Sequence, residues 1–153
     1  MKGRCTCGGV SYELTTAPMI VHCCHCRHCQ RETGSAFVIN ALIESEHLQV
    51  EGTVELVMTP SESGRGQEIA RCPSCRIALW SHYPTAGRRS SFVRVGTLDE
   101  PAACPPDVHI FTRSKLPWVQ LPADTPNFAD IYPAREEVWS AVAMERWHAM
   151  MAS

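Results

Sequence analysis

The stretch His22-Cys23-Cys24-His25-Cys26-Arg27-His28-Cys29 decides how the rest of this sequence is read. Every position but Arg27 carries a thiol or an imidazole, a density of soft ligands that packing does not require. Cys24, Cys26 and Cys29 form a Cys-x-Cys-x-x-Cys pattern able to wrap three thiolates around one small ion. Zinc takes sulfur and nitrogen donors in a tetrahedron, so a fourth place is either filled by the protein or left open. That place separates a catalytic site from a structural one.

Two further cysteine pairs flank the stretch. Cys72-x-x-Cys75 lies between apolar runs and reads as a zinc knuckle, in which two intervening residues turn both sulfurs toward one ion. The knuckle needs two more ligands, and the best source is Cys5-x-Cys7, borne on a glycine-rich turn. Cys5, Cys7, Cys72 and Cys75 then make a closed structural site. Cys24, Cys26 and Cys29 remain as an incomplete one. The rival arrangement fills its fourth place with Cys23, His22, His25 or Cys104. Adjacent side chains diverge in an extended chain, which favours Cys23 as a small buried residue.

The totals describe an ordinary globular chain of 153 residues, with 44% hydrophobic and 20% charged residues. Its length fits one domain. A net charge of −2 is not that of a nucleic-acid or membrane-surface binder. No apolar run approaches the ~18 residues of a membrane span. No signal-peptide core precedes the first cysteine motif. A cytoplasmic location is expected, where nine clustered cysteines bind metal more readily than they form disulfides.

Alternation in Val10-Ser-Tyr12-Glu-Leu14 predicts a strand with one buried face. Ser35–Ile43, Leu48–Val50, Val54–Met58, Gln67–Arg71, Ile77–Trp80, Ser91–Val95 and Asp107–Arg113 read as further strands, Glu51-Gly52 joining two of them as a hairpin. A helical turn over Gln30–Thr33 is closed by Gly34. The one long helical signal begins at Pro133, suited to a first helical position. Its apolar stripe is Val138, Trp139, Val142, Ala143, Trp147 and Met150. The fold class is all-β with a C-terminal helix, residues 1–131 forming the domain and 132–153 an extension.

An open three-thiolate zinc favours chemistry on an incoming thiol, because a coordinated thiol is deprotonated outright. Beside an electrophilic carbonyl that thiolate forms or breaks a carbon–sulfur bond. An anionic thiol would meet Arg27 and Arg31, which flank the cluster; the alternative for each is a solvated surface charge. His109 either relays protons or is a satisfied strand residue.

The motifs Gly3-x-Cys5-x-Cys7-Gly8-x-Val10-x-Tyr12, Cys24-His25-Cys26-x-x-Cys29 with Gly34, and Cys72-x-x-Cys75 occur in this order. With Gly96–Asp99, His109-Ile110-Phe111 and Trp118, the chain resembles the glutathione-dependent formaldehyde-activating enzymes, a family that includes the centromere protein V domain. The resemblance covers roughly residues 3–120. It implies a β-tent-type fold, a structural zinc, and a second zinc held by Cys24, Cys26 and Cys29. It also implies condensation of formaldehyde with glutathione to S-hydroxymethylglutathione, a carbon–sulfur lyase reaction. Cys24, Cys26, Cys29, His25 and His109 are the expected catalytic residues, and Arg27 and Arg31 the expected thiol contacts. The alternative is a non-catalytic zinc module that binds glutathione or a protein partner.

Two features depart from the family pattern. Arg76 stands where glycine commonly follows the second knuckle cysteine. Residues from about Tyr132 onward have no counterpart, and their helix is expected to serve a dimer interface or to cover a sheet edge.

Overall fold

Apolar alternation resolves into ten strands and two α-helices in a computed structural model describing residues 1–153. The strands are β1 (Lys2–Arg4), β2 (Ser11–Leu14), β3 (Ile20–Cys24), β4 (Val38–Glu44), β5 (Leu48–Glu51), β6 (Glu55–Thr59), β7 (Gln67–Arg71), β8 (Ala78–His82), β9 (Ser90–Arg94) and β10 (Val108–Ile110). The helices are α1 (Arg27–Thr33) and α2 (Ala141–Ala152). A three-stranded sheet has the order β1-β2-β5, and a seven-stranded one the order β10-β3-β4-β9-β8-β7-β6. All pairings are antiparallel except that of β10 with β3. The chain is therefore mostly β, as its alternation predicts, and no helix is long and apolar enough to cross a membrane.

Strand β3 is buried at every position, because β10 and β4 pair with its two edges and a hydrophobic cluster packs on each face. Side chains alternate across a strand. Val21 on β3, with Ala41 and Ile43 on β4, faces one cluster, which contains Cys5 and Cys72. Ile20 and Cys24 on β3, with Val38 and Leu42 on β4, face the other, which contains Cys26 and Cys29. One sheet thus separates the two cysteine groups.

Three expectations are corrected by the architecture. Glu51-Gly52 does not close a hairpin: β5 pairs with β2, while β6 crosses to β7 in the other sheet. Gly52 has φ 94°, and a Cβ there would lie 2.3 Å from the Gly9 carbonyl oxygen, so glycine serves a crossover packed against the first cysteine turn. The strand expected over Asp107–Arg113 stops at Ile110, because Phe111 turns the chain with φ 55°. The terminal helix does not begin at Pro133. A short 3-10 turn spans Arg135–Glu137, and α2 starts after Ser140, whose hydroxyl accepts from the Ala143 N–H at 3.1 Å.

Trp139, Ala143, Trp147 and Met150 are buried in the same cluster as Cys24, Cys26 and Cys29, so the stripe packs onto its own chain. Val142, expected on that stripe, is 64% exposed. Docking of α2 is fixed by Arg146, whose Nε and Nη2 donate to Glu44 Oε1 and Oε2 at 2.8 and 2.5 Å. Its Nη1 donates to the Ala17 carbonyl at 2.8 Å.

Burial alone would raise the Glu44 carboxyl, but its contacts, chiefly the Arg146 guanidinium, outweigh this and hold it below the ordinary carboxylate range. A depressed folded-state pKa contributes stability above the unfolded value that is lost as pH falls through the folded one. Arg146→Ala should cost about 2–3 kcal/mol, since it strands a largely buried carboxylate. It should also flatten the loss of stability below about pH 4.5 in denaturant titrations.

Candidate metal centres and the adjoining cavity

The first group assembles where two turns meet. Cys5 and Cys7 lie between β1 and β2; Cys72 and Cys75 lie between β7 and β8, which the knuckle joins as an antiparallel pair. The four sulfurs lie within 4.8 Å of one another, Cys5 to Cys7 at 3.5 Å and Cys7 to Cys72 at 3.6 Å. A zinc–sulfur bond of about 2.3 Å gives tetrahedral edges of about 3.8 Å, so this donor set fits a zinc ion. Backbone donors already serve the sulfurs: the Val10 N–H points at Cys5 Sγ at 3.3 Å. Cys75 is lowered to about 6 by the Cys7 and Ile77 backbone N–H groups.

Arg76 holds φ 65°, the left-handed conformation that the usual glycine adopts freely. Its N–H bonds to the Cys72 carbonyl at 3.0 Å, and its guanidinium pairs with Glu55 at the surface. A non-glycine residue there costs about 1–2 kcal/mol, whereas an exposed ion pair contributes about 0–1 kcal/mol. Arg76→Gly should therefore raise stability by up to about 1 kcal/mol, measured as a shift in the denaturation midpoint.

The second group is made by the end of β3 and the start of α1. Cys24 is the last residue of β3, and Cys26 is the N-cap of α1, its sulfur accepting from the Cys29 N–H at 3.3 Å. Cys29 follows on the first turn, and Gly34 closes the helix in the left-handed region at φ 65°. The three sulfurs lie within 4.8 Å of one another, each residue no more than 5% exposed. No fourth cysteine, histidine or carboxylate joins the group.

Three thiols this close do not ionise independently. Cys26 is pushed down to about 2, chiefly by hydrogen bonds from the Cys24 and Cys29 thiols. Cys24 is raised because its proton is held toward those same sulfurs. Cys29 rises to about 12: the Cys24 contact lowers it, but Cys26 and burial outweigh that. A divalent cation placed among these sulfurs would convert all three into thiolate ligands.

Cys24, Cys26 and Cys29 line a cavity of about 590 Å³. Its walls include His22, weighed from the sequence as a fourth ligand, and Tyr83, Phe92, Phe111, Tyr132 and Trp147, which the sequence did not single out for the site. His22 precedes Cys24 by two residues and shares its face of β3. Burial pushes its imidazole down to about 4, and its Nε2 lies 2.8 Å from the Tyr132 hydroxyl.

His25 and His109, expected near a substrate, do not line this cavity. His25 Nε2 lies 3.0 Å from His109 Nδ1 and 3.6 Å from Cys23 Sγ, on the other face of the β3–β10 pair. Burial lowers His25 to about 4 and also lowers His109. Arg27 and Arg31 line a separate shallow depression with Trp118, because α1 turns them away from the sulfurs. His28 reaches the cavity and pairs with Glu62 at 2.9 Å. Cys23 and Cys104 are buried, and burial raises both thiols.

A mostly β chain with one closed four-cysteine group, and a second three-cysteine group opening on a cavity, defines a class of cysteine-site β proteins. Residues 1–114 match the family model described as glutathione-dependent formaldehyde-activating enzyme, and the chain belongs to that family. No curated protein gives a match. A Rhodobacter sphaeroides protein of known crystal structure is 24% identical; the alignment covers 65% of this chain and 88% of that one, with a TM-score of 0.49.

Proposed function

We propose that the chain is a zinc-dependent enzyme of the carbon–sulfur lyase type, joining a small glutathione-like thiol to an aldehyde or releasing the two. The observation that carries this reading is the second cysteine group: three buried sulfurs, no fourth protein donor, and a cavity against them. Membership of the formaldehyde-activating family supports it. Residues 1–131 are read as a β-tent-type domain working in the cytoplasm, and 132–153 as an extension of it.

Cys5, Cys7, Cys72 and Cys75 would hold a structural zinc, and Cys24, Cys26 and Cys29 a second. Zinc bound there would supply Lewis acidity and lower the pKa of a thiol joining it. The chain's own part is to hold three sulfurs on one side and exclude water with aromatic faces on the other. A carbon–sulfur bond forms between the thiol sulfur and the carbonyl carbon, and the thiol proton ends on the carbonyl oxygen. The reverse reaction breaks the same bond. His25 and His109 take a positioning role, their hydrogen bond tying the residue after Cys24 to β10.

Cobalt(II) substitution followed by glutathione titration tests this. The thiolate-to-cobalt charge-transfer absorption should grow on titration, and that growth should vanish in Cys26→Ser. A spectrum indifferent to glutathione and to other small thiols alike would remove the basis for an open site.

A further inference from the structure

We propose that residues 131–147, beyond the family match, set the substrate class of the three-cysteine site. That class is a thiol, or its carbonyl adduct, with a flat apolar body and one carboxylate. The inference rests on the reading that this site takes a thiol, and goes further by naming what the thiol carries.

The family match ends at residue 114, yet the segment after it builds one wall of the cavity with Tyr132, Arg135, Trp139 and Trp147. The cavity volume of about 590 Å³ lies within the roughly 300–1,000 Å³ typical of sites for drug-sized molecules. Formaldehyde, with two heavy atoms, would leave most of it unfilled.

The polar tips of Tyr132 and Trp139 are already committed. Trp139 Nε1 donates to the Tyr132 hydroxyl at 2.6 Å, and that hydroxyl lies 2.8 Å from His22 Nε2. The Tyr132 and His22 rings stack at 5.7 Å with 10° between their planes. Trp139 and Trp147 meet edge to face at 5.5 Å. Rings locked in this way offer apolar surface rather than hydrogen bonds.

Arg135 is the exception. It pairs with no carboxylate and lies over Trp139 and Trp147, its guanidinium carbon 5.6 and 4.5 Å from their ring centroids. Of the two acidic residues lining the cavity, Glu62 is committed to His28 and Arg113, and Glu136 is exposed. The other unpaired arginine lining the cavity, Arg65, is exposed and so a weaker partner; the half-buried Arg135 guanidinium beside aromatic faces suits one carboxylate attached to a flat apolar group.

Gln67 and Ser90 also border the cavity, but their unpartnered Oε1 and Oγ atoms are buried away from its surface. Glutathione brings two peptide units, two carboxylates and an ammonium, and each hydrogen bond left unmade on burial weakens binding about tenfold or more.

The test uses the cobalt-loaded full chain and four alkyl thiols, with dissociation constants read from the charge-transfer band. para-(Mercaptoethyl)benzoate should bind at least about tenfold more tightly than phenylethanethiol, mercaptopropionate or glutathione. Arg135→Gln should abolish its advantage over phenylethanethiol without weakening phenylethanethiol itself, and Arg135→Lys should retain most of it. Should Arg135→Gln fail to fold, the four-thiol comparison on the unaltered chain decides. Glutathione binding as tightly as the benzoate overturns this inference and leaves the thiol site standing. A band unmoved by any of the four overturns the thiol site, and this inference with it.

Discussion

Replacing Cys72 by serine should leave a chain that does not hold its fold. Cys72 is 1% exposed and shares a hydrophobic cluster with Cys5, Val10, Tyr12 and Trp80. Its sulfur is one of four that tie the β1–β2 turn to the β7–β8 knuckle. Structural zinc contributes about 10–16 kcal/mol to the folding of small zinc domains, while whole domains are stable by only about 5–15 kcal/mol. Weakening such an ion by one thiolate, and leaving a hydroxyl in an apolar cluster, would be enough to remove most of the margin. The variant should lose its cooperative melt and one or both metal ions. Cys104→Ser is the control. Cys104 is buried in the same cluster but stands outside every ligand group, so its replacement should cost only about 1–2 kcal/mol.

Cys26→Ser should do the opposite, abolishing activity while sparing the fold. Cys26 caps α1, its sulfur accepting from the Cys29 N–H. A serine hydroxyl makes the same capping bond and makes it well, so α1 and Gly34 should stay in place. The chain should keep the ion at Cys5, Cys7, Cys72 and Cys75 and lose the other. The rate of thiol–aldehyde condensation should fall by about a thousandfold or more, equivalent to roughly 4 kcal/mol of transition-state stabilisation. A melting temperature within a few degrees of the parent, with activity at the spontaneous rate, is the expected pair of results. Together the two serine variants would separate the group proposed to hold the fold from the group proposed to do the chemistry.

How legible all this is from the chain alone follows from the range of each interaction. The knuckle, its Cys5–Cys7 partner and the Cys24–Cys26–Cys29 set are short motifs, and the donor atoms that could hold a metal belong to the motif residues themselves. Gly34 and Arg76 are likewise local: each meets a backbone demand set by its neighbours, and both hold φ 65°. Strand pairing is different. The parallel pairing of β10 with β3 joins residues 86 apart, Val108 with His22, and nothing in either segment names the other. Glu51-Gly52 looks like a hairpin turn because turn residues look alike whether the chain reverses or crosses to another sheet. The α2 boundary moved because a capping serine at Ser140 outcompetes a proline that suits a first turn but cannot cap one.

The site's lining was the least legible part. Arg27 and Arg31 sit next to the cysteines in sequence, yet a helix turns successive residues about 100° apart, and α1 points both away from the cavity. Tyr132, Arg135 and Trp147 are about a hundred residues away and form the opposing wall. A signal was present: two of the four tryptophans fall in the last fifteen residues, with an arginine close ahead of them. Read alone, that pattern is an amphipathic helix seeking a core. Only the fold shows that the core it finds is the one around Cys24, Cys26 and Cys29.

The central claim is that the second cysteine group holds zinc with three protein sulfurs and one place open to a thiol. X-ray absorption at the zinc edge of the fully loaded chain, with and without glutathione, tests it directly. The average sulfur count per zinc should lie between three and four in the resting protein and rise to four when the thiol is added. A count of four before any thiol is added, or one that neither glutathione nor another small thiol changes at saturation, would contradict it.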